Sequence, residues 1–570
     1  MSFLRFSNQL FRKLIVTTTL VGGLSVSPFV LAAGEPLQIG KGASGNFLAG
    51  RHADQSGKSV EALKFYETAT SQGRIATASL YRRIYILALS EGRIEDALKA
   101  LDKAEKAGAK APFVNLVRSV QAFKDKDYVA AEKLIRDDTG ALSRHLSASM
   151  VGWAKVGQKD GEGAIKALAP LKANAATTPL YDLHAALIED ALDNTDSAMG
   201  HYVTLLKNAG LTSRITQLLG WHLERNGKFK DALELYTKFA ITDQGAVILD
   251  MAQERIRKKI TPPLVVETAQ DGVSEALLNI AQIYQTQAAD TRVPILAHLA
   301  LYLRPDSVPA QMVIAQSLET NSRFEEANAI YAKIPRTEPQ SWTARLQTAL
   351  NFNSMGEEKK AIHQLKSLAK EHPQRPVPLI DLGNLLRSYD RYKEAAQAYT
   401  DALKRITKIG AHHWGLYYSR GVSYEQSKQW PKAEKDFLKA LELKPDQPSV
   451  LNYLGYSWID QGLHLDRALK MIEKAESLRP RDGYIVDSVG WGLYRLGKFD
   501  EAVKKLERAV MLNPSDPVIN DHLGDALWRV GRTREARFQW ERALTLDPDE
   551  KVKKDLDEKL KSGLKPLPTK

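Results

Sequence analysis

Two copies of one pattern stand side by side between Gly483 and Pro548, and no other feature limits the possible folds so strongly. The first copy is GYIVDSVGWGLYRLGKFDEAVKKLERAVMLNP and the second is PVINDHLGDALWRVGRTREARFQWERALTLDP. Gly490 of the first copy aligns with Gly524 of the second, 34 residues later. A repeat of this length is one supersecondary unit, which buries its apolar face only by stacking on its neighbours. The chain is therefore expected to be a stack of such units rather than a set of globular domains.

Each copy has small residues at positions 8, 20 and 27, an aromatic residue or Leu at position 24, and Pro at position 32. Small side chains at positions 8 and 20 let the axes of two antiparallel helices approach closely. Gly497 supplies the turn between the helices, and Pro514 ends the second helix. The pattern resembles the tetratricopeptide repeat (TPR). The resemblance implies an all-α fold, a TPR solenoid that forms a right-handed superhelix of about 14 helix-turn-helix repeats with a C-terminal capping helix.

The small residue of position 20 marks the other repeats. It recurs at intervals of 33 to 35 residues in the first part of the chain, which predicts an N-terminal array of about six repeats over residues 45–259. These markers are Ala62, Ala97, Ala131, Ala164, Ala198 and Ala232. The marker then resumes and predicts a C-terminal array of about eight repeats over residues 274–548. The markers of that array are Val293, Ala327, Ala361, Ala395, Ala433, Ala468, Ala502 and Ala536.

The register breaks between the two arrays. Ala232 and Val293 are 61 positions apart, about 27 more than one repeat needs. The run GAVILDMAQERIRKKI predicts an extra helix, and TPPLVVETAQDG predicts an extended, proline-led connector at residues 260–273. We place a domain boundary there, with Pro262 and Pro263 as its stiffest point. The alternative is a decorated loop inside one continuous superhelix.

Both ends of the chain differ from the repeats. Residues 1–33 predict a signal peptide, because Arg5, Arg12 and Lys13 precede the apolar run LIVTTTLVGGLSVSPFVL and a small-residue cleavage site. This predicts export to the periplasm. The alternative is an uncleaved anchor in the inner membrane that faces the periplasm. Residues 549–570 predict a polar capping helix followed by a basic tail.

The sequence lacks the motifs that mark common catalytic and metal sites. The chain has no cysteine, which excludes disulfides, a thiol nucleophile and a lipobox. It contains no Gly-rich phosphate loop, no GxSxG elbow and no HExxH zinc motif. His412 and His413 are the only adjacent histidines, and beside Trp414 they are expected to pack rather than bind metal. We therefore predict no enzyme activity, no cofactor and no metal. The alternative is an enzyme or nucleic-acid module hidden in the divergent repeats.

The net charge and its distribution along the chain indicate which kinds of partner the protein could bind. A formal net charge of +12 permits attraction to an anionic surface or polymer. Lys and Arg interleave with Asp and Glu in every repeat, however, and form no dense basic stripe, so a nucleic-acid partner is not expected.

The leader, the overall layout and one long run carry a closer resemblance. The run is NYLGYSWIDQGLHLDRALKMIEKAESLRPRDGYIVDSVGWGLYRLGKFDEA. Together they resemble the large exported periplasmic TPR proteins of alphaproteobacteria that are linked to cell-envelope integrity. The resemblance implies a non-catalytic scaffold or adaptor that binds protein or peptide partners, expected to be envelope proteins, and supports cell-envelope integrity or assembly. The alternative is a TPR partner subunit of a polysaccharide export or secretion complex. The sequence does not indicate an oligomeric state.

In TPR proteins the inner face of the superhelix comes mainly from positions 2, 5, 9, 12 and 13 of each first helix. On the last four clear repeats these positions combine aromatic rings with Arg, Asn and Asp, the composition of a binding hot spot. The predicted partner-binding residues are Tyr418, Asn452, Tyr456, Asp487, Trp491, Tyr494, Arg495, Asp525, Trp528 and Arg529. We expect Trp491 and Trp528 to be exposed, so that their removal leaves folding almost unchanged. The alternative for each ring is packing between adjacent first helices.

Overall fold

The structure is a computed structural model that describes residues 42–72, 75–138, 144–240, 242–285 and 290–565. Within these ranges all regular secondary structure is helical, in 30 α-helices and two short 3₁₀ segments. The all-α solenoid predicted from the 34-residue pattern is therefore confirmed. The predicted signal peptide at residues 1–33 and the end of the basic tail lie outside the described residues.

The predicted N-terminal array consists of six antiparallel helix pairs. They are α1 (Ala43–Gln55) with α2 (Ser59–Ser71), α3 (Ala78–Ser90) with α4 (Ile94–Lys106), α5 (Val114–Lys124) with α6 (Tyr128–Arg136), α7 (Arg144–Gly157) with α8 (Gly161–Ala167), α9 (Thr178–Ala191) with α10 (Thr195–Ala209), and α11 (Ser213–Arg225) with α12 (Phe229–Phe239). The extra helix predicted before the connector is α13 (Asp243–Arg257).

Eight more pairs follow, and a single helix ends the stack. They are α14 (Ala269–Gln285) with α15 (Arg292–Leu303), α16 (Val308–Thr320) with α17 (Phe324–Tyr331), α18 (Gln340–Ser354) with α19 (Glu358–Glu371), α20 (Val377–Ser388) with α21 (Tyr392–Arg405), α22 (Trp414–Gln426) with α23 (Trp430–Leu443), α24 (Pro448–Asp460) with α25 (Leu465–Leu478), α26 (Gly483–Arg495) with α27 (Phe499–Leu512), α28 (Pro517–Arg529) with α29 (Thr533–Thr545), and α30 (Glu550–Ser562).

Close contact between the two helices of a pair depends on the small residues at positions 8 and 20. All fourteen position 20 markers are buried in the core. A Cβ on Gly490 would lie 2.6 Å from the side chain of Leu506 at position 24, and a Cβ on Gly524 would lie 2.4 Å from Trp540. Glycine at position 8 is therefore needed because a large residue at position 24 fills the space above it.

One feature of the fold could not be seen in the repeat pattern: the pair α14–α15 packs against the first helices of the N-terminal array. Helix α14 contacts α5, α7 and α9, and α15 contacts α3 and α5. Gly272 lies directly against the indole of Trp153, and the guanidinium of Arg214 donates to Glu275 at 3.0 Å. Lys124 Nζ donates to the carbonyl of Tyr302 at 2.7 Å. Four of the six first helices of the N-terminal array, α3, α5, α7 and α9, are therefore covered by the chain itself.

The connector is packed rather than loose. Pro262, Val265 and Val266 are buried, and Arg225 donates to the carbonyl of Pro263 at 3.1 Å. Residues 258–261, where α13 ends and the connector begins, are all exposed, and so are Pro263, Glu267 and Thr268. No helix forms over residues 261–268, whereas residues 269–273, the end of the predicted connector, already belong to α14.

Among the described residues, one compact unit ends at Leu368 and a second begins at Ala369. The predicted boundary at residues 260–273 falls inside the first unit, where helices from both sides of the connector share one core. The connector as a point of mechanical weakness stays a prediction. The second unit has its own core, formed by the repeats from Tyr418 to Leu556.

Candidate functional site

The predicted partner-binding residues lie on α22, α24, α26 and α28, the first helices of the last four repeats. Helix α24 contacts α26, and α26 contacts α28, so consecutive first helices pack side by side. Each second helix instead packs between the first helix of its own repeat and that of the next. The first helices therefore line one common side of the second unit. We call this side the inner face and define it by positions 2, 5, 9, 12 and 13 of these helices.

Aspartate caps fix where the last helices begin. The carboxylate of Asp482 accepts from the backbone N–H of Tyr484 at 3.2 Å, and that of Asp516 accepts from Val518 at 3.0 Å. Such caps satisfy N–H groups that have no partner in the first turn of a helix. They set the register in which inner-face positions of α26 and α28 follow one another.

The ten predicted residues differ in exposure. The buried ones are Tyr418, Asn452, Asp487, Trp491 and Asp525. The partly buried ones are Tyr456, Tyr494, Trp528 and Arg529, and Arg495 is exposed. The structure brings Trp491, Tyr494 and Arg529 into one contact network, because Tyr494 stacks on Trp491 and accepts from Arg529. Tyr418 packs with Phe437 and Tyr453 further along the unit. Their role in binding a partner stays a prediction.

Trp491 is the clearest correction. Its side chain is only 8% exposed, so the expectation of an exposed ring is wrong. The indole stacks on His522 of the next first helix, with ring centroids 4.1 Å apart, and on Tyr494, with centroids 4.8 Å apart. The ring therefore packs between adjacent first helices, which is the alternative that the sequence left open. Trp528 keeps part of its surface exposed.

Beneath this stack, Asp487 and His522 form a buried ion pair. His522 Nδ1 lies 3.0 Å and 3.1 Å from the two carboxylate oxygens. Burial alone would lower the pKa of His522, but the charge of Asp487, with Asp521 and Asp525 nearby, raises it above its usual value. Burial raises the pKa of Asp487, and His522 partly opposes that rise. The carboxylates thus favour the protonated form of this imidazole between two first helices.

A second charged contact closes the end of the inner face. Lys559, on the last helix α30, donates to Asp521 at 2.7 Å and 2.9 Å and to Asp525 at 3.0 Å. Asp525 also accepts from the indole N–H of Trp540 at 3.0 Å. Burial and the charge of Asp521 raise the pKa of Asp525, and Lys559 opposes this effect. Burial alone would lower the pKa of Lys559, but the carboxylates around it raise it.

The inner-face side chains with the most exposure lie on α24 and α26. Arg495 Nη1 is 3.6 Å from the carboxylate of Asp460, and both side chains are about one third exposed. Tyr494 accepts from Arg529 Nε at 3.2 Å. Burial raises the pKa of Asp460, while Arg495 opposes the rise. An ion pair of this exposure contributes little free energy in water. Arg495 and Asp460 can therefore give up their contact and pair with groups of a partner at little cost in free energy.

Sequence reasoning missed two of the residues that organise this site. His522 stands at position 6, outside the inner-face positions, and Lys559 lies in the helix that was assigned only a capping role. A signal was available for His522, because Asp525 follows it at i+3 on α28 and Asp487 precedes it by 35 positions, one repeat and one residue. For Lys559 the sequence offers no comparable signal, since six lysines follow Asp549 before residue 566.

Metal binding and membrane insertion can be judged for the described residues. His412 and His413 lie with ring centroids 3.8 Å apart, and no group of three or more metal-binding side chains occurs within the described ranges. Among the helices of those ranges, none combines the length and apolar character that crossing a bilayer requires.

Known proteins share the repeat. Two models of the tetratricopeptide repeat match residues 415–447 and 490–551. A TPR repeat-containing protein of Pseudomonas aeruginosa is 31% identical over 139 residues, which are 24% of this chain and 23% of that protein. Tetratricopeptide repeat protein 13 of Homo sapiens is 25% identical over 175 residues, which are 30% of this chain and 20% of that protein. The chain thus spans less than a quarter of the length of either relative.

A solved structure is also similar, at 15% identity and a TM-score of 0.36: a chain of the crystal structure of the APC/C hetero-tetramer Cut9–Hcn1, for which the alignment covers 92% of this chain and 96% of that chain. Other observations identify the repeats. These are the two matched segments, the fourteen helix pairs and the small residues buried at position 20. They show that residues 415–447 and 490–551 match the tetratricopeptide repeat, and that the described residues form an all-α solenoid of similar helix pairs.

Proposed function

We propose that this protein is a non-catalytic scaffold that binds a protein partner on the inner face of its C-terminal repeats and supports the integrity or assembly of the cell envelope. Tetratricopeptide repeats generally mediate protein–protein interactions and typically lack catalytic activity. The location rests on the predicted leader, which favours the periplasm over an inner-membrane anchor. Envelope proteins are the proposed partners, and the net positive charge is compatible with an additional anionic surface or polymer.

One observation carries the choice of binding surface. Four of the six first helices of the N-terminal array are covered by α14 and α15, whereas α24 and α26 present Arg495, Asp460 and Tyr494 with part of their surface in contact with solvent. Aromatic and Arg side chains beside a carboxylate are typical of the residues that dominate binding energy at interfaces. The inner face of the second unit is therefore the surface that a partner can reach without displacing a helix pair.

In-cell photocrosslinking tests this proposal. A photoreactive phenylalanine replaces Arg495 on the inner face, and in a matched strain it replaces Met511, which is 77% exposed on the second helix α27. We expect one or a few proteins to be captured at position 495 and not at position 511. Equal capture at both positions, or none at 495, contradicts the choice of surface.

The identity of the captured protein separates the two functional proposals. An outer-membrane or cell-wall assembly protein supports the scaffold for envelope integrity, and a component of a polysaccharide export or secretion complex supports the alternative. Cell fractionation of the same strains tests the location. A protein that keeps its first 33 residues and sediments with the inner membrane contradicts export as a free periplasmic protein.

A further inference from the structure

Two neighbouring segments of the first unit each present an apolar side chain among cations. The segment that follows α11 is NGKFK, residues 226–230, and the segment that ends α13 is RKKIT, residues 257–261. Every residue of both segments is exposed. Phe229 is 46% exposed in the first segment, and Ile260 is 53% exposed in the second. About half of the surface of each apolar residue is therefore in contact with water.

Two contacts hold these segments side by side. Arg255 donates to the carboxylate of Glu224 at 2.6 Å and 3.2 Å, and Arg225 donates to the carbonyl of Pro263 at 3.1 Å. Glu224 and Arg225 are the last residues of α11 before the first segment. Arg255 and Pro263 lie on either side of the second segment. The two segments therefore form one surface, which we call the basic edge and define as residues 226–230 and 257–261.

The same backbone closure orders both segments. The N–H of Lys228 donates back to α11 at 2.9 Å, and the N–H of Ile260 donates back to α13 at 2.9 Å. A left-handed residue precedes each donor, Gly227 with φ +71° and Lys259 with φ +56°. These are the features of the Schellman motif that ends many helices. The backbone that carries the apolar side chains is thus ordered in advance, and binding has little more of it to immobilise.

The exposure of Phe229 follows from the break in the repeat register. Phe229 stands at position 17, the first residue of a second helix, three residues before the marker Ala232. After α12 the extra helix α13 takes the place of the next first helix, and Phe229 stays exposed. In the other described repeats the apolar residues at position 17 are buried or partly buried. They are Ile94, Tyr128, Phe324, Tyr392, Trp430, Leu465 and Phe499.

The basic edge carries an excess of positive charge. Its five cations are Lys228, Lys230, Arg257, Lys258 and Lys259. Two carboxylates border it, Asp231 and Glu254, and Glu254 lies 2.7 Å from Arg257 and 2.9 Å from Lys258. Within the described ranges, no carboxylate lies within ion-pair distance of Lys228, Lys230 or Lys259. These three ammonium groups are therefore available to an anionic partner.

We propose that the basic edge docks the protein on the surface of an anionic lipid bilayer, with Phe229 and Ile260 inserted between the headgroups and the lysines at the level of the lipid phosphates. Apolar side chains among lysines suit the boundary between headgroups and acyl chains. The lysine stems can lie along apolar surface while their ammonium groups stay in water. This inference rests on the anionic surface named in the proposed function, and adds the residues and the lipid chemistry.

The composition of the basic edge favours a bilayer over other anionic partners. Lysine is depleted at the interfaces of protein complexes, whereas it supplies four of the five cations here. A nucleic acid would gain from the cations, but its phosphates offer nothing to bury Phe229 and Ile260. A bilayer offers both an anionic surface and an apolar layer directly beneath it.

The test uses the full-length protein with one fluorescent label. The chain has no cysteine, so Ile260→Cys provides a single site for a nitrobenzoxadiazole dye, and Met511→Cys provides the matched control on an exposed residue of α27. We expect mixed vesicles of phosphatidylglycerol and phosphatidylethanolamine to raise the emission of the dye at position 260 and shift it to shorter wavelength. The dye at position 511 should not respond, and phosphatidylcholine vesicles should change neither.

Charge reversal tests the role of the lysines. Each lysine near an anionic bilayer contributes about fivefold to affinity, so Lys228→Glu, Lys258→Glu and Lys259→Glu together should weaken binding about a hundredfold or more. The control reverses three exposed lysines of α30, which makes the same change in net charge and should leave vesicle binding almost unchanged. These are Lys551, Lys553 and Lys554.

Phe229→Ser tests insertion. With the dye at position 260, this variant should bind the anionic vesicles about fivefold or more weakly, because less apolar surface enters the bilayer. Circular dichroism shows whether the variant keeps its helices. The charge-reversed protein changes only exposed residues, so it decides the question if Phe229→Ser does not fold.

Four results overturn the inference: no response at position 260 to the anionic vesicles, an equal response to phosphatidylcholine, undiminished binding after charge reversal of the edge, or a response at position 260 to RNA without vesicles. The last result makes a nucleic acid the partner. A leader that inserts by itself does not bring the dye at position 260 into the bilayer. Capture at position 495 uses no vesicles, so the inner-face partner fails or stands separately.

Discussion

The imidazole of His522 lies parallel to the indole of Trp491, with ring centroids 4.1 Å apart, and its Nδ1 is 3.0 Å from Asp487. Two first helices, α26 and α28, are thus joined by a stacked aromatic pair and a buried ion pair at once. Trp491 and Asp487 were expected to face a partner, and the structure shows that they hold neighbouring repeats together. Binding and stability are therefore linked on this face.

Trp491→Ala is expected to destabilise the second unit by about 3 kcal/mol or more, because a large buried ring leaves a cavity between two helices. Trp528→Ala should cost less, since part of that ring is exposed and less contact is lost. Chemical unfolding followed by circular dichroism measures both. Equal stability of Trp491→Ala and the wild type contradicts the packing role, and would return Trp491 to the group of exposed inner-face residues.

His522→Gln should remove a stability contribution that depends on pH. Asp487 raises the pKa of His522 in the folded protein above the usual 6.5, so the contribution is fully present below pH 6.5. It is lost as the pH rises through the folded pKa. Burial also raises the pKa of Asp487 and Asp525, so these carboxyls likewise favour the folded state more at low pH.

The measurement is the difference in unfolding free energy between wild type and His522→Gln from pH 6 to pH 9. We expect the difference to shrink across this range. The control is His52→Gln, which changes an exposed histidine of the first unit and should show no such trend. A difference that stays constant with pH means that His522 acts through packing alone.

How far the sequence predicts this molecule depends on how local each feature is. The helix pairs follow from positions 8, 20 and 24, because these residues meet within one repeat, as Gly490 and Leu506 do. The packing of α14–α15 onto the N-terminal array could not be predicted, because it joins Trp153 to Gly272 across more than a hundred residues. A pattern with a period of 34 residues contains no information on such contacts.

Prediction of the candidate site from the sequence is limited for the same reason. The inner-face positions were predicted from the repeat, and the structure places them along one side of the second unit. Which of them are buried depends on the neighbouring repeat and on α30, and neither follows the pattern of a single repeat. Lys559 is the clearest example, because its contact with Asp521 spans 38 positions and comes from a helix outside the repeats.

Gly490→Ala tests the close approach of the two helices in a repeat. The added Cβ would lie 2.6 Å from the side chain of Leu506, so the pair must separate or repack, at a cost of about 1–3 kcal/mol. Gly415→Ala is the matched control in a first helix of the same unit, because nothing lies within 4 Å of its Cβ. At position 415 the substitution should stabilise the folded protein by about 0.5–1 kcal/mol. Similar effects of both variants on thermal unfolding contradict the role assigned to position 8.

Cutting the connector should not separate the two predicted arrays. Residues 258–261 are exposed and accept an engineered protease site, whereas Pro262, Val265 and Val266 are buried. After cleavage, α14 still packs on α5, α7 and α9, with Arg214 donating to Glu275. We therefore expect limited proteolysis to cut at this point and the fragments to migrate as one species in size-exclusion chromatography.

A second variant shows whether that interface holds the fragments together. Gly272→Leu drives a side chain into Trp153, since even a Cβ would lie 2.0 Å from its ring. After the same cut, this variant should release the fragments under conditions in which the unmodified sequence does not. Fragments that part without the substitution would instead favour two independent arrays, with the prolines of the connector as the boundary between them. If both separated fragments also keep their helical circular dichroism signal, the arrays fold independently. Each fragment contains more than the three repeats that a stable stack requires.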